Sequence, residues 1–246
     1  MKYKEAERLV AVNRFHHFNF DLNKNLHSLL QLATEIYETP VAFLTLVDKD
    51  DQVFKVCYGF EVQLMPRNTS FCTHVVEQQE PMVVADAKAD NRFTDNPLVM
   101  HPPHIRFYAG APLTTNDGFT IGTLCVMDVN NKETTDNKKH QLHILAQQTM
   151  NLMELELTQK MLNEKMQQVA QQNKVLREIA FIQSHEFRGP LTSIMGLMNI
   201  IKEDEDTLSQ PYYLQLMEEA VKKLDEKIHI VVKSTEVAES TWRAIA

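Results

Sequence analysis

His185 is followed at once by Glu186, inside the run Phe181-Ile182-Gln183-Ser184-His185-Glu186-Phe187-Arg188-Gly189-Pro190-Leu191-Thr192. A neutral imidazole nitrogen is a nucleophile near neutral pH. While it reacts, the other ring nitrogen must keep its proton and be held in one tautomer. A carboxylate on the next residue is placed to accept that N–H and to stabilise the positive charge that grows as the ring is substituted. Pro190 removes a backbone donor and is expected to bend the helix just after the histidine. Arg188 reads either as a partner for phosphate or as cover on a helix surface. For the two residues alone, the competing reading is a solvated His-Glu pair on an amphipathic helix.

The run as a whole, continued through Ser193-Ile194 and Gly196, resembles the phosphoacceptor box of sensor histidine kinases, which lies in their dimerisation and histidine-phosphotransfer (HisKA) domain. The resemblance implies that His185 is the phosphoacceptor and Glu186 the orienting acid/base. Phosphate would come from Mg-ATP held by an ATP-binding catalytic domain and pass to an aspartate on a response-regulator receiver domain. Such catalytic domains carry glycine-rich boxes, and Gly59, Gly110, Gly118, Gly122, Gly189 and Gly196 contain no Gly-x-Gly. The catalytic domain is therefore expected outside this chain, in cis or in trans, and no cofactor is expected within it. Gly189 departs from the family pattern, which commonly holds Thr or Asn there to orient a water for dephosphorylation. Phosphatase activity is put in doubt by that glycine; phosphorylation is not.

The rest of the composition narrows the setting. A formal net charge of −8 over 246 residues argues against non-specific nucleic-acid binding and against an anionic membrane surface. No apolar run approaches the ~18 residues a membrane helix needs. The start, Met1-Lys2-Tyr3-Lys4-Glu5-Ala6-Glu7-Arg8, has no apolar core after its basic residues, unlike a secretory signal. Cys57, Cys72 and Cys125 are few, separated and odd in number, which suits reduced thiols and a cytoplasmic location.

The elements that must position these groups fall into three stretches. Residues 1–150 read as mixed α/β. Apolar spacings of three and four predict helices from about Glu5 to Phe15 and from Leu22 to Tyr37. Val41 to Val47 and Gln52 to Tyr58 read as a hairpin, and Met82 to Ala85 as a strand. Phe107 to Leu113 and Phe119 to Met127 flank the turn signal Asn116-Asp117-Gly118. An antiparallel sheet with flanking helices follows. Four segments carry a resemblance to GAF domains, a ligand-sensing family. They are Ser70-Phe71-Cys72-Thr73-His74, residues 91–99 (Asn-Arg-Phe-Thr-Asp-Asn-Pro-Leu-Val), residues 105–113 (Ile-Arg-Phe-Tyr-Ala-Gly-Ala-Pro-Leu) and residues 121–128 (Ile-Gly-Thr-Leu-Cys-Val-Met-Asp). The ligand is left open by the resemblance, because the fold hosts many. Pocket candidates are Phe43, Phe71, Cys72, Phe93 and Tyr108.

Cys72-x-His74 could attach a chromophore or ligate a metal, but packing in the core is the preferred reading. Bilin-binding GAF domains usually carry Cys-His as neighbours, and that dipeptide is missing. His101-Pro102-Pro103-His104 reads as a loop, and no metal is expected. Asn91-Arg92-Phe93 is similar to part of the cyclic-nucleotide motif of some GAF domains, whose remainder is absent, so a cyclic nucleotide is not favoured.

Residues 151–180 read as a coiled-coil signalling helix. With Leu152 at position a, the a and d positions are Leu152, Leu155, Gln159, Leu162, Met166, Val169, Asn173, Leu176, Ala180 and Gln183. Asn173 at an a position points to a parallel dimer, and His185 falls on the face away from the seam. Residues 181–246 form the HisKA stretch. After the acidic break Glu203-Asp204-Glu205-Asp206, Thr207-Leu208-Ser209-Gln210-Pro211 reads as a helix start with a capping box. One helix hairpin cannot bury its apolar stripes, whereas two make a four-helix bundle, so a homodimer is expected. Two alternatives remain at this stage. One is a regulatory dimer that binds another kinase and is never phosphorylated. The other is a GAF-type free-methionine sulfoxide reductase, which also uses cysteines on this fold.

Overall fold

The structure, a computed structural model, describes residues 5–20, 24–203 and 211–245. It divides into two compact units, Met1–Leu162 and Asn163–Ala246. The first is built from α1 (Glu5–His16), α2 (Lys24–Tyr37), β1 (Val41–Val47), β2 (Asp51–Tyr58), β3 (Leu64–Pro66), α3 (Phe71–Gln78), β4 (Met82–Val84), α4 (Pro97–Met100), β5 (Phe107–Thr114) and β6 (Thr120–Asp128). Helix α5 (Asp136–Glu203) contributes its first turns here and continues into the second unit, where α6 (Pro211–Ile245) also lies.

The six strands form one antiparallel sheet in the order β3-β2-β1-β6-β5-β4. Side-chain alternation sends β1 residues Ala42, Leu44 and Leu46 to one face and Phe43 and Val47 to the other. The first face packs under α1, α2 and the start of α5, where Phe15, Leu26, Leu30, Leu142 and Met150 are buried. The second face packs under α3 and the segment around α4, where Phe71, Val75, Phe93 and Val99 are buried. Both faces are covered, which is why β5 and β6 are apolar along nearly their whole length rather than alternating.

The turn at Asn116-Asp117-Gly118 is present, with Gly118 at φ +89°. Arg14 pairs with Asp117 at 2.9 Å, and Glu154 accepts from the Asn116 N–H at 2.9 Å, so the hairpin tip is tied to α1 and α5. Gly122 answers a close approach, since a Cβ there would lie inside the Thr45 carbonyl of β1. Gly122→Ala is expected to cost roughly 1–3 kcal/mol as overpacking. It would show as a lower urea midpoint with an unchanged slope; a wild-type midpoint would refute this reading.

Arg8 is wholly buried in α1. Its Nη1 donates to the Val47 carbonyl at 2.5 Å, and its Nη2 pairs with Glu5 at 2.7 Å. Arg67 reaches the same carboxylate at 2.7 Å. Hydrogen bonds from Arg8 hold Glu5 down from its usual 4.5 to about 2, against partial burial and with help from Arg67. A carboxylate depressed in the fold stabilises fully above its unfolded value and loses that contribution as pH falls through the folded one. Glu5→Gln should therefore flatten the acid limb of stability between pH 4.5 and about 2. An acid limb as steep as wild type would contradict the assignment.

The strand pair at 41–58 and helices α1 and α2 match the sequence reading to within a residue or two. Helix α5 begins at Asp136, ahead of the signalling helix read over 151–180, because its first turns bury Leu142, Leu145, Ala146 and Met150 in the core of the sheet domain. Elements β3, α3 and α4 are too short for a periodic signal. The predicted capping box at 207–211 lies outside the described residues except for Pro211. Among the described residues, no helix is long and apolar enough to cross a membrane.

Candidate functional site

Three groups of residues are candidates for function. The first lies on the second face of the sheet. Phe71 at the start of α3 stacks on Phe93 at 4.2 Å between ring centroids and on Tyr108 of β5 at 5.2 Å. Arg92, paired with Asp90 at 2.6 Å, sits over the Phe93 ring at 5.2 Å. Beneath the stack, the Cys72 sulfur accepts from Gln52 Nε2 at 3.3 Å and from the Tyr108 hydroxyl at 3.4 Å, and touches Cys125 Sγ at 3.8 Å. Ser70 donates to Gln52, and Thr45 meets Thr123 at 3.1 Å. Burial alone would push the Cys72 thiol up. Hydrogen bonds from Cys125, Thr123, Tyr108 and Thr45 outweigh it and bring the thiol below its usual value. Cys125, 3.8 Å from that sulfur, is pushed well above the usual thiol value by its bond with Cys72 and by burial. Gln52 was not singled out from the sequence, and Ser70 stood there only as part of the Ser70–His74 segment. Their role follows from the β2 register and the start of α3, which no local motif shows.

Of the five pocket candidates, Phe71, Cys72, Phe93 and Tyr108 thus fill closed core, each no more than 1% exposed. Phe43 alone also reaches open space. It lines the second candidate, a cavity of about 330 Å³ walled by β1, the β2–β3 connection, α4 and the end of β6. Local chemistry shapes this wall. The Asn96 side chain caps α4 by accepting from the Leu98 N–H at 2.9 Å, with Pro97 opening the helix. The Asn96 amide also donates to the Thr69 carbonyl at 2.9 Å. The Ile105 N–H closes the following loop on the Leu98 carbonyl at 2.8 Å, and Arg106 donates to the Val99 carbonyl at 3.1 Å. On the opposite side, the Phe54 N–H donates to the Gln63 carbonyl at 3.1 Å, holding the β2–β3 connection.

The third candidate is the His185 helix face. His185 and Glu186 are both exposed on α5. Half-buried Gln183, Phe187, Pro190, Ile194, Leu197 and Ile201 repeat at steps of four and three and form the stripe that faces α6. At 100° per residue His185 stands roughly opposite that stripe. The Glu186 carboxylate is held by an ion pair with Lys227 of α6, and that pairing lowers its pKa. Pro190 sits inside the helix. The hydroxyls of Ser184, Thr192 and Ser193 donate back to the carbonyls of Ala180, Arg188 and Gly189. A Cβ at Gly189 would meet nothing within 4 Å, so a larger side chain fits there. Among the described residues, no three His, Cys, Asp or Glu side chains converge as a metal site. The separate histidines of the 101–104 loop and His74, edge-on to Phe93 at 4.9 Å, belong to no such group.

The six-stranded antiparallel sheet with helices on both faces, beside a small cavity, defines a small α+β domain. The GAF domain family pattern matches residues 21–157, more than half of the chain, so the chain belongs to the GAF domain family and carries a signalling sensor domain. Over 100 residues, 41% of this chain, the sequence is 43% identical to a cyclic di-GMP phosphodiesterase of Pseudomonas aeruginosa, and that stretch spans only 17% of the relative's length. Among solved structures, the blue-light-absorbing PixJ GAF domain of Thermosynechococcus elongatus is similar over 67% of this chain and 96% of its own, at 14% identity and a TM-score of 0.46. A domain named for a two-component sensor histidine kinase of Sinorhizobium meliloti is similar over 61% of this chain and 99% of its own, at 14% identity and a TM-score of 0.43.

Proposed function

We propose that this chain is a cytoplasmic, dimeric two-component signalling protein. Its GAF unit senses a small molecule, and His185 accepts phosphate from Mg-ATP held by a catalytic domain outside the chain. The phosphate then passes to an aspartate of a response regulator. The observation that carries this reading is the box sequence, with His185 itself exposed on a helix face roughly opposite the stripe that packs on α6. An attacking imidazole must be reached by two bulky partners in turn, and a face free of the hairpin contact meets that need.

The assembly part rests on uncovered apolar surface. Leu191, Met195 and Met198 on α5 and Leu214, Val221 and Ile228 on α6 are all exposed. Each set lies roughly 80° round its helix from the stripe that joins the hairpin, which puts both on the same side of it. A second hairpin placed there completes a four-helix bundle and leaves His185 open. Of the three cysteines that thiol-dependent turnover could use, Cys72 and Cys125 are wholly buried and Cys57 is partly exposed.

The test is phosphate uptake by the full chain, mixed with a competent histidine-kinase catalytic domain and Mg-ATP. Acid-labile, alkali-stable label mapped to His185 is the expected result. A chain that stays unlabelled while the catalytic domain labels its own partner overturns the phosphoacceptor reading in favour of a purely regulatory dimer.

A further inference from the structure

The cavity beside Phe43 has a composition that decides what it can hold. Its wall is Phe43 and Phe54, which meet edge to face at 5.2 Å, together with Phe60, Val62, Leu98, Ile105, Met127 and their neighbours. Phe60 is 63% exposed at the rim, although it is one of the largest apolar side chains of the domain. No lining residue is basic, and Asp128 is the only ionisable one. The Asp128 carboxylate is already satisfied. Lys132 stands 3.3 Å from one oxygen, and the Asn130 backbone and side-chain N–H groups donate to the other at 3.0 and 3.2 Å. An anionic ligand would therefore face the Asp128 carboxylate and meet no basic residue in the lining, and a cation would have to displace Lys132. Either charge would be desolvated without a partner, which costs more than apolar contact returns. A volume of about 330 Å³ lies at the small end of ligand pockets.

From this we infer that the cavity is a binding site for one neutral, largely apolar ring compound, and that cyclic nucleotides and other phosphate-bearing ligands are excluded from it. The inference deepens the sensor part of the proposed function by naming its ligand class. It does not depend on His185. The site is displaced from the stack of Phe71, Phe93 and Tyr108, where aromatic side chains occupy the space themselves. The ligand would touch Met127, Asp128 and Val129, the end of the strand that leads to α5.

The test uses the full chain and the neutral fluorophore N-phenyl-1-naphthylamine. Saturable fluorescence enhancement is expected, with one high-affinity probe per chain. Leu98→Trp and Val62→Trp, at half-buried positions of opposite walls, should each weaken binding at least tenfold while the far-ultraviolet circular dichroism stays that of wild type. Probe bound instead to the exposed hairpin would survive both substitutions, and that result overturns the assignment. Neutral 1-naphthalenemethanol should displace the probe at least tenfold better than 1-naphthoate, which has nearly the same shape and a negative charge. Equal displacement by the pair, or displacement by cyclic GMP or cyclic di-GMP, overturns the neutral-ligand claim. Should either substitution unfold the protein, the neutral–anionic pair on wild type still decides. Failure of probe binding with labelled His185 removes this inference alone; binding without label removes the phosphoacceptor reading alone.

Discussion

His185→Gln is expected to take up no acid-labile phosphate under conditions in which wild type is labelled. Glutamine keeps a polar side chain on an exposed helix face, so the fold should be unaffected, but it has no ring nitrogen to attack phosphorus. Glu186→Gln is expected to retain the phosphoacceptor and to slow labelling by about 100-fold, the low end of what a positioned acid or base contributes. The carboxylate accepts the second ring N–H and offsets the charge of the substituted imidazole, whereas a neutral amide does so weakly. In the structure this carboxylate is engaged by Lys227 rather than by His185. Both side chains are exposed, so the pair is worth little to stability. Lys227→Gln should therefore label within about threefold of wild type. Rapid labelling of Glu186→Gln would show that the ion pair with Lys227, not service to the histidine, is the role of this acid. Equal labelling of wild type and His185→Gln would end the phosphoacceptor assignment altogether.

The second large effect is on assembly. Leu155, Leu162, Met166, Val169 and Leu176 of the heptad seam are all exposed in the single chain, and so are the two stripes on the hairpin. Apolar rows of this length are rarely left to solvent. The full chain is expected to sediment as a dimer at micromolar concentration. Leu162→Lys with Leu176→Lys places like charges across a parallel seam, desolvated and unpaired. Dimer dissociation should become at least about 100-fold easier, roughly 2.7 kcal/mol. Thermal unfolding of the GAF unit should be unchanged, because its core lies around residues that neither substitution touches. A stable wild-type monomer at these concentrations would remove both the coiled coil and the bundle.

Much of the fold was legible in local patterns, and the reasons are specific. The strand Val41–Val47 is bounded by a proline and by four charged residues, so its ends follow from side-chain chemistry alone. Asn116-Asp117-Gly118 states its turn because glycine adopts the positive φ at its third position without the steric cost of a Cβ. The box around His185 is contiguous, so the proposal made for it rests on residues adjacent in sequence. The tertiary structure alone decided which sheet residues meet. Gln52, Ser70, Cys72, Tyr108 and Cys125 come from β2, the start of α3, β5 and β6, and they converge through strand register and helix placement. It also decided that, of the aromatic residues picked as pocket lining, Phe71, Phe93 and Tyr108 fill their own space while Phe43 lines the open cavity. Whether a group of aromatic side chains closes on itself or leaves a hollow depends on volumes summed over four elements. A one-dimensional pattern carries the polarity of those side chains but not the space between them.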